Sequence, residues 1–206
     1  MKILFQGDSI TDASRCREDF HHLGYGYPKY AAAKLKAKMP STDFEFINLG
    51  ISGHKVEDLK NRWQSDCVDI APDLMSILIG VNDTWHHADD KSWIPNDVFE
   101  ADYRHILEEA KKIDGIKIIM MEPFLLPAED KEFFREDLDP KIQIIRKLAR
   151  EYADAFIPLD GILAAHSVNI ADKASMSMGG DGVHPSETTA DFIGGLWAEA
   201  AYKLIK

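Results

Sequence analysis

The amino-acid sequence predicts an α/β fold, a three-layer α/β/α sandwich built on a sheet of five parallel strands. Short apolar runs alternate along the chain with longer segments of helical period, which is the pattern of strand-helix-strand units. Two of the runs, LMSILIG at 74–80 and IKIIMM at 116–121, are apolar on both faces, as expected of central strands covered on both sides. No repeat, low-complexity tract or linker divides the chain, so residues 1–206 are expected to form one domain.

The expected strands are the apolar runs, and the expected helices lie between and after them. The strands are predicted at residues 3–6, 44–49, 74–79, 116–121 and 155–159. The helices are predicted at residues 27–38, 56–68, 98–112, 140–152 and 187–205. In the last helix Ser186 is the expected N-cap, and one apolar stripe contains Phe192, Ile193, Leu196, Trp197, Ala200 and Leu204.

The connection at residues 123–138, PFLLPAEDKEFFREDL, is unusually long for this architecture. Long connections of this kind are often rims or lids over a functional site. A packing segment or a subunit contact explains it equally well.

Charge and composition exclude several classes of function. The formal net charge is −11, whereas nucleic acids and anionic membranes are bound by clustered Lys and Arg. Cys16 and Cys67 are the only cysteines, too few for a disulfide framework and without metal-ligand spacing. No apolar stretch reaches about 18 residues, and the start MKILFQGD is too short for a signal peptide. We therefore expect a cytoplasmic protein that binds neither nucleic acid nor membrane.

Polar and glycine-containing motifs follow the predicted strands. GDSIT (7–11), NLGISGHKVEDL (48–59) and GVNDTWHH (80–87) each follow a strand, and GGDGVHPS (179–186) precedes the last helix. In an open parallel sheet, ligands bind beyond the carboxyl ends of the strands. Ser9, Gly53, Asn82, Asp181 and His184 are therefore expected to face one cleft. Taken alone, Ser9 fits a nucleophile, a phosphate-binding hydroxyl or a helix cap.

Together these residues meet the requirements of ester hydrolysis. A serine hydroxyl is a weak nucleophile until an imidazole accepts its proton and a carboxylate holds that imidazole in the right tautomer. His184 is the candidate base and Asp181 the candidate orienting group. Asn82 and the backbone N–H groups of Ser9 and Gly53 are candidate donors to an oxyanion. Because the base must be neutral and a free histidine titrates near pKa ~6.5, activity is expected to rise from mildly acidic to neutral pH.

The four motifs, in this order, resemble the four sequence blocks of the SGNH (GDSL) hydrolase superfamily and span almost the whole chain. The resemblance implies that Ser9 is the nucleophile, with Asp181 and His184 as its partners. It also implies that Gly53 and Asn82 donate to the oxyanion hole. The fold it implies is a flavodoxin-like sheet of strand order 2-1-3-4-5.

The stretches GDSITDASR, GISGHKVEDLKNRW, IGVNDTWHH and EPF are similar, beyond the four blocks, to the intracellular acetylxylan and xylo-oligosaccharide esterases of bacteria. This likeness implies the removal of acetyl groups from short acetylated sugars through an acyl-enzyme, with no cofactor. It also implies a homo-oligomer.

Residues beside the motifs are candidates for substrate binding. Trp85 lies three residues after Asn82 and offers a platform for a sugar ring, as does Trp93, although aromatic side chains also fill cores. Tyr27 belongs to HHLGYGYP (21–28), which either lines the pocket or forms a subunit contact. Asp8 is a further candidate substrate contact. Asp8 and Asp83 also suit a role in supporting the loops beside the catalytic residues.

Two other functions fit parts of the sequence. A flavodoxin-like binding module would hold a phosphate ligand with GDSITDAS (7–14), but it leaves Asn82 and the Asp181–His184 pair unused. A lysophospholipase or thioesterase of the same superfamily fits all four motifs and would prefer longer acyl chains. The adjacent histidines of WHHADD (85–90) point apart and lack a third ligand, so no metal site is expected.

Overall fold

The sheet at the centre of the computed structural model, which describes residues 1–206, has five strands. They are β1 (Lys2–Gly7), β2 (Glu45–Asn48), β3 (Leu74–Leu78), β4 (Lys117–Met121) and β5 (Ala155–Ile157). Their order is β2-β1-β3-β4-β5, and every neighbouring pair is parallel. The predicted α/β class and the strand order that the resemblance implies are confirmed. Because the order reverses between β1 and β3, a crevice opens beyond the carboxyl ends of these two strands.

Eight α-helices accompany the sheet. They are α1 (Ser9–Asp12), α2 (Tyr27–Lys38), α3 (Val56–Trp63), α4 (Val81–Trp85), α5 (Asn96–Ala110), α6 (Arg135–Tyr152), α7 (Leu159–Ser167) and α8 (Glu187–Ile205). The predicted bounds of α2 and α8 agree with the structure. The predicted helix 56–68 is α-helical to Trp63 and continues as a π-helical segment, Gln64–Val68. Three helices, α1, α4 and α7, were not predicted.

Alternate residues of the strands face two separate apolar layers. In β1, Ile3 and Phe5 pack toward α2, α7 and α8, whereas Leu4 packs toward α3, α5 and α6. This is the period-two alternation of a strand, here with both faces covered. Ser76, on a central strand, is fully buried, and its hydroxyl accepts a hydrogen bond from the indole N–H of Trp197 at 2.8 Å. The sheet is thus fixed to α8 by a polar contact within an apolar layer.

Helix α8 buries a narrower stripe than the sequence predicts. Ile193 and Trp197 are fully buried, together with Ala190, Ala198 and Ala201, but the predicted members Phe192, Leu196, Ala200 and Leu204 are only partly buried. Small residues on the buried side let the helix lie close to α2, as Gly194 shows, since a Cβ there would lie 2.6 Å from Cβ of Tyr30. Ser186 occupies the predicted N-cap position, but its hydroxyl lies 3.3 Å from Oγ1 of Thr189 and bonds no backbone N–H.

Helix α6 begins five residues before its predicted start. The prediction placed the start at Pro140, whereas the helix begins at Arg135 and includes the proline. Pro140 is the sixth residue and lies inside the helix, where a proline removes one backbone hydrogen bond and crowds the carbonyl of the preceding turn. Ion pairs one turn apart span the position, from Arg135 to Asp139 at 3.1 Å and from Lys141 to Asp137 at 2.5 Å. The connection after β4 is therefore shorter than expected, and its last part is a 3₁₀ helix, Glu129–Phe134.

Candidate active site

Ser9 lies at the sheet's crevice, as the first residue of α1. The cap of this helix is Asp8, whose Oδ1 accepts a hydrogen bond from the backbone N–H of Ile10 at 2.9 Å. The possibility that Ser9 is only a helix cap is therefore wrong. Gly7, the last residue of β1, lets α1 pack close to the end of the sheet. A Cβ at this position would lie 2.3 Å from the Leu78 carbonyl oxygen and from Oγ1 of Thr11. The Ser9 hydroxyl is left free to face the loop that precedes α8.

The side chains of Ser9, His184 and Asp181 form one continuous hydrogen-bonded relay. Oγ of Ser9 lies 2.9 Å from Nε2 of His184, and Nδ1 of His184 lies 2.6 Å from Oδ2 of Asp181. The other carboxylate oxygen of Asp181 accepts hydrogen bonds from the backbone N–H groups of Val183 and His184, both at 2.9 Å. Two backbone donors thus hold the carboxylate so that it keeps the proton of His184 on Nδ1 and leaves Nε2 facing the serine.

The loop that carries Asp181 and His184 is held at both ends. Ser177 and Pro185 form an isolated antiparallel bridge, and the Met178 N–H donates to the His184 carbonyl at 2.8 Å. Gly182 has a φ of +76°, and a Cβ there would lie 2.6 Å from Cβ of Ala128. The loop can approach its neighbour this closely only with a glycine at this position.

The segment after β4 packs against that loop. The Leu126 N–H donates to the Gly182 carbonyl at 2.7 Å, and the side chains of Phe124, Leu125 and Leu126 are buried. Of the three explanations for this segment, a lid, a packing element or a subunit contact, residues 124–126 fit the second. They support the catalytic loop from behind.

The loop after β2 carries Gly53, which has a φ of +84°. Gly50 packs directly on α1, since a Cβ there would lie 2.4 Å from the Asp12 backbone nitrogen. Oδ2 of Asp12 accepts hydrogen bonds from the backbone N–H and the hydroxyl of Ser52, at 2.8 and 2.9 Å. Burial alone would raise the pKa of Asp12, but these bonds and the nearby Arg17 guanidinium outweigh it and lower the pKa. The loop is therefore held against the helix of Ser9.

Asn82 lies on α4, directly after β3, and is 4% exposed. One N–H of its side-chain amide donates to the His54 carbonyl at 3.1 Å, in the loop that carries Gly53. An asparagine amide has two N–H groups, so this contact fixes the amide and leaves the second N–H for another acceptor. The loop that carries Gly53 is thus bonded on one side to α1, which carries Ser9, and on the other side to α4, which carries Asn82.

Asp83 makes a second link between α4 and the same loop. Its two carboxylate oxygens each lie 3.3 Å from the backbone nitrogen of Val56, at the start of α3. The carboxyl is 1% exposed, and burial raises its pKa to about 7, although the Val56 hydrogen bond and the charge of Lys141 partly offset the effect. This is the supporting role that the sequence suggested for Asp83.

Asn48, at the end of β2, organises the site and was not singled out from the sequence. Its side-chain N–H groups donate to the carbonyl oxygens of Thr11 and Leu23, at 2.8 and 2.9 Å, and its Oδ1 accepts from the Gly50 N–H at 2.9 Å. A fully buried asparagine has to satisfy each of these groups. The sequence signal that could have indicated this role was a polar residue directly after the predicted strand residues FEFI.

The candidate substrate contacts differ in their positions. Asp8 is 1% exposed and caps α1, so the structure does not place it against a substrate; burial raises its pKa to about 7. Tyr27 lines the cavity that opens in front of the relay. Its hydroxyl, however, lies 3.4 Å from Oγ1 of Thr11, and burial raises the pKa of that hydroxyl. The half-buried Trp85 packs beside the ring of His184, with 5.9 Å between ring centroids. The ammonium of Lys91 lies over the ring of Trp93, 5.4 Å from its centroid.

An open cavity of about 370 Å³ lies in front of the relay. Ser9, Asp181 and His184 are among the residues that line it, whereas Gly53 and Asn82 are not. Tyr25 and Met178 line it and are 65% and 64% exposed. Met178 was not singled out from the sequence, since nothing local distinguishes it from a core methionine.

A serine, a histidine and an aspartate in one relay beside an open cavity form the site of a serine hydrolase. Residues 5–191 match the GDSL-like lipase/acylhydrolase family. The chain belongs to this family and is a carboxylic ester hydrolase.

Known proteins that resemble the chain include an acetylxylan esterase from Geobacillus stearothermophilus, which is 34% identical over 90% of this chain and 86% of its own. A solved structure described as a GDSL-like lipase, from Parabacteroides merdae, has a TM-score of 0.88 and 33% identity, and the match covers 98% of this chain and 95% of that one. A catalytic mutant of the Geobacillus esterase, with a histidine replaced by alanine, has a TM-score of 0.86 and 30% identity, covering 97% and 93%.

No helix combines the length and the apolar character that crossing a bilayer requires. No group of three or more His, Cys, Asp or Glu side chains is arranged to hold a metal ion.

Proposed function

We propose that this enzyme removes O-acetyl groups from short xylo-oligosaccharides through an acetyl-enzyme formed on Ser9. The observation that carries the proposal is the relay from Ser9 to His184 to Asp181, with its distances of 2.9 and 2.6 Å. The choice of substrate is supported by the similarity to the Geobacillus acetylxylan esterase. A variant of that protein is also described as an acetyl-xylooligosaccharide esterase, and its structure is 31% identical to this chain.

The first half of the reaction transfers the acetyl group to Ser9. The hydroxyl attacks the ester carbonyl while His184 accepts its proton at Nε2. Asp181 accepts the Nδ1–H bond and stabilises the imidazolium that forms. The carbonyl oxygen gains negative charge, and the second amide N–H of Asn82 with the backbone N–H groups of Ser9 and Gly53 stabilise it. His184 then gives its proton to the sugar oxygen as the C–O bond breaks.

The second half returns the enzyme to its starting state. A water molecule attacks the acetyl-serine, and its proton passes to His184. The tetrahedral intermediate collapses with the proton returning to the Ser9 oxygen, and acetate leaves. The same relay and the same oxyanion donors therefore serve both halves.

The alternative within the family is a hydrolase of long acyl chains. The cavity of about 370 Å³ is at the lower end of the range of small-molecule sites, which favours a sugar unit and an acetyl group. A phosphate-binding module has less support, since α1 has four residues and Ser9 is hydrogen-bonded to His184.

We further propose that the protein is cytoplasmic, assembles as a homo-oligomer and binds no nucleic acid or membrane. The net charge of −11 supports the last point, and two free cysteines support a reducing compartment. Cys16 is exposed, whereas burial raises the pKa of the Cys67 thiol to about 12. Light scattering that gives only the monomer mass would remove the oligomer from this proposal.

The test of the proposed function is acetate release from acetylated xylo-oligosaccharides by the wild type, Ser9→Ala and Ser65→Ala. Ser65 is an exposed serine outside the cavity and serves as the matched control. We expect the wild type and Ser65→Ala to release acetate and Ser9→Ala to lose at least about 10³-fold in kcat. A series of simple esters from acetate to octanoate, run in parallel, should show a preference for acetate. Ser9-dependent hydrolysis that prefers octanoate and ignores the sugars would refute the substrate and keep the nucleophile.

A further inference from the structure

Tyr25 is an exposed aromatic side chain on the wall of the cavity. It is 65% exposed and lines the same cavity as Ser9 and His184. Its ring fills no part of either apolar layer. A large aromatic surface beside a reactive group, without a packing role in the free protein, is suited to contact a ligand.

The backbone of Tyr25 is fixed against the helix of the nucleophile. Its N–H donates to the Ala13 carbonyl at 2.8 Å, directly after α1. Gly24, with a φ of +73°, lies so close that a Cβ would be 2.4 Å from the Asp12 carbonyl oxygen. At Gly26 a Cβ would lie 2.7 Å from Cβ of Ala13. The two glycines on either side of Tyr25 thus allow this segment to pack closely against α1 and the residue after it. This packing fixes the backbone position of Tyr25 relative to Ser9.

The surroundings of the ring are polar on one side. The ring of His22 meets that of Tyr25 edge to face at 5.9 Å, and Nδ1 of His22 accepts hydrogen bonds from the N–H groups of Cys16 and Gly24, at 3.0 and 3.3 Å. The ammonium of Lys29 lies 5.9 Å from the Tyr25 ring centroid. Nδ1 of His22 is thus already bonded within the protein, and neither His22 nor Lys29 lines the cavity, so the part of the Tyr25 ring that lines the cavity is left to meet a ligand.

Met178 provides an apolar surface on the loop of the base. Its side chain is 64% exposed and lines the cavity, and its N–H bonds the His184 carbonyl. Tyr25 is therefore fixed to the element of the nucleophile and Met178 to the element of the base. A ring bound in this cavity would be positioned relative to both catalytic groups.

We propose that Tyr25 is the stacking platform for a pyranose ring of the acetylated oligosaccharide, with Met178 as the second apolar contact. The apolar C–H face of the sugar lies on the part of the tyrosine ring that lines the cavity. This inference rests on the proposed function and adds a residue that determines specificity for sugar esters. The ring binds substrate in both the ground state and the transition state, so its contribution is expected in KM.

The experiment compares Tyr25→Ala, Tyr25→Phe and Tyr25→Leu with the wild type on two substrates. One is acetylated xylotriose and the other is ethyl acetate, which has no ring to stack, and acetate release is measured for both. The control is Phe20→Ala, because Phe20 is an aromatic residue of the same segment, 52% exposed, that does not line the cavity. Thermal unfolding of each variant shows whether it is folded.

We expect Tyr25→Ala to raise KM for acetylated xylotriose about three- to tenfold, the range of one aromatic contact, with kcat within about twofold of the wild type. Ethyl acetate hydrolysis should be unchanged. Tyr25→Phe should restore the wild-type KM, since it keeps the ring, and Tyr25→Leu should not. Phe20→Ala should match the wild type on both substrates.

Equal losses on both substrates would mean that Tyr25 supports the fold, and no loss on either would mean that it does not meet the sugar; each result overturns the inference. If the wild type releases no acetate from the sugar, the proposed function fails together with this inference. If it does so and Tyr25→Ala is unaffected, only this inference fails.

Discussion

Replacing the buried acid Asp83 by asparagine should change the pH dependence of stability in a defined way. Burial raises the pKa of Asp83 to about 7 in the folded protein, from an ordinary value of 3.8. Between these two values the folded chain holds a proton that the unfolded chain has released. The unfolded state therefore binds fewer protons, and the free energy of unfolding falls as pH rises from about 4 to about 7.

The size of this effect follows from the two pKa values. About 1.4 kcal/mol for each pKa unit, over the interval from 3.8 to about 7, gives about 4 kcal/mol as an upper value. Asp83→Asn has no such proton to lose and keeps an oxygen for the Val56 N–H. We expect the variant to be more stable than the wild type at pH 8, by up to about 4 kcal/mol. At pH 4.5 the difference should be only about 1 kcal/mol, because the folded carboxyl is protonated there and the unfolded one is less than one pH unit above its pKa of 3.8.

Urea unfolding of both proteins at pH 4.5, 6, 7 and 8 measures this difference directly. The comparison is made within each pH, so other titrating groups that the two proteins share, including Asp8, cancel. A stability difference that stays constant across this range would refute the assignment of a raised pKa to Asp83. A variant that is less stable than the wild type at pH 8 would show that the ionised carboxylate stabilises the loop.

The remaining predictions concern the oxyanion donor and the catalytic loop. Asn82→Ala removes the proposed oxyanion donor and should lower kcat by about 10²- to 10³-fold with little change in KM, measured by steady-state kinetics on acetylated xylotriose. A change in KM alone would assign Asn82 to substrate binding. Gly182→Ala combines a φ of +76° with a Cβ 2.6 Å from that of Ala128, and it should destabilise the protein by about 1–3 kcal/mol and lower kcat. Gly179→Ala, with a φ of +62° but nothing within 4 Å, is its matched control, and equal thermal shifts for the two would contradict the role given to the close contact.

The parts of the fold that the sequence predicts well are those with strong local patterns. The apolar runs mark β1 to β4 because a strand covered on both faces has few polar positions. The motifs around Ser9, Asn82 and His184 are visible because each follows or precedes a marked element. Asp181 and His184 are three residues apart, so a single loop brings them together and no long-range contact had to be inferred.

The elements and roles that the sequence did not predict have physical causes, one of them a local charge pattern that was overlooked. The start of α6 was wrong because Pro140 looks like a helix start, whereas the preceding residues are held by ion pairs of Arg135 and Lys141. The residue that caps α1 is Asp8 and not Ser9, because the backbone N–H of Ile10 bonds the Asp8 carboxylate. Both residue types are common helix caps, so the sequence did not distinguish them. The role of Met178 depends on the bridge between Ser177 and Pro185, and this contact is visible only in three dimensions.

In the proposed reaction an acetyl group passes from a sugar to Ser9. Rapid-quench mass spectrometry of the wild-type enzyme during turnover of acetylated xylotriose tests this most directly. We expect an acetyl group on Ser9 and on no other residue, and no labelling in His184→Ala, which lacks the proposed base. Continued acetate release with Ser9 unmodified, or with the acetyl group on a different residue, would contradict it.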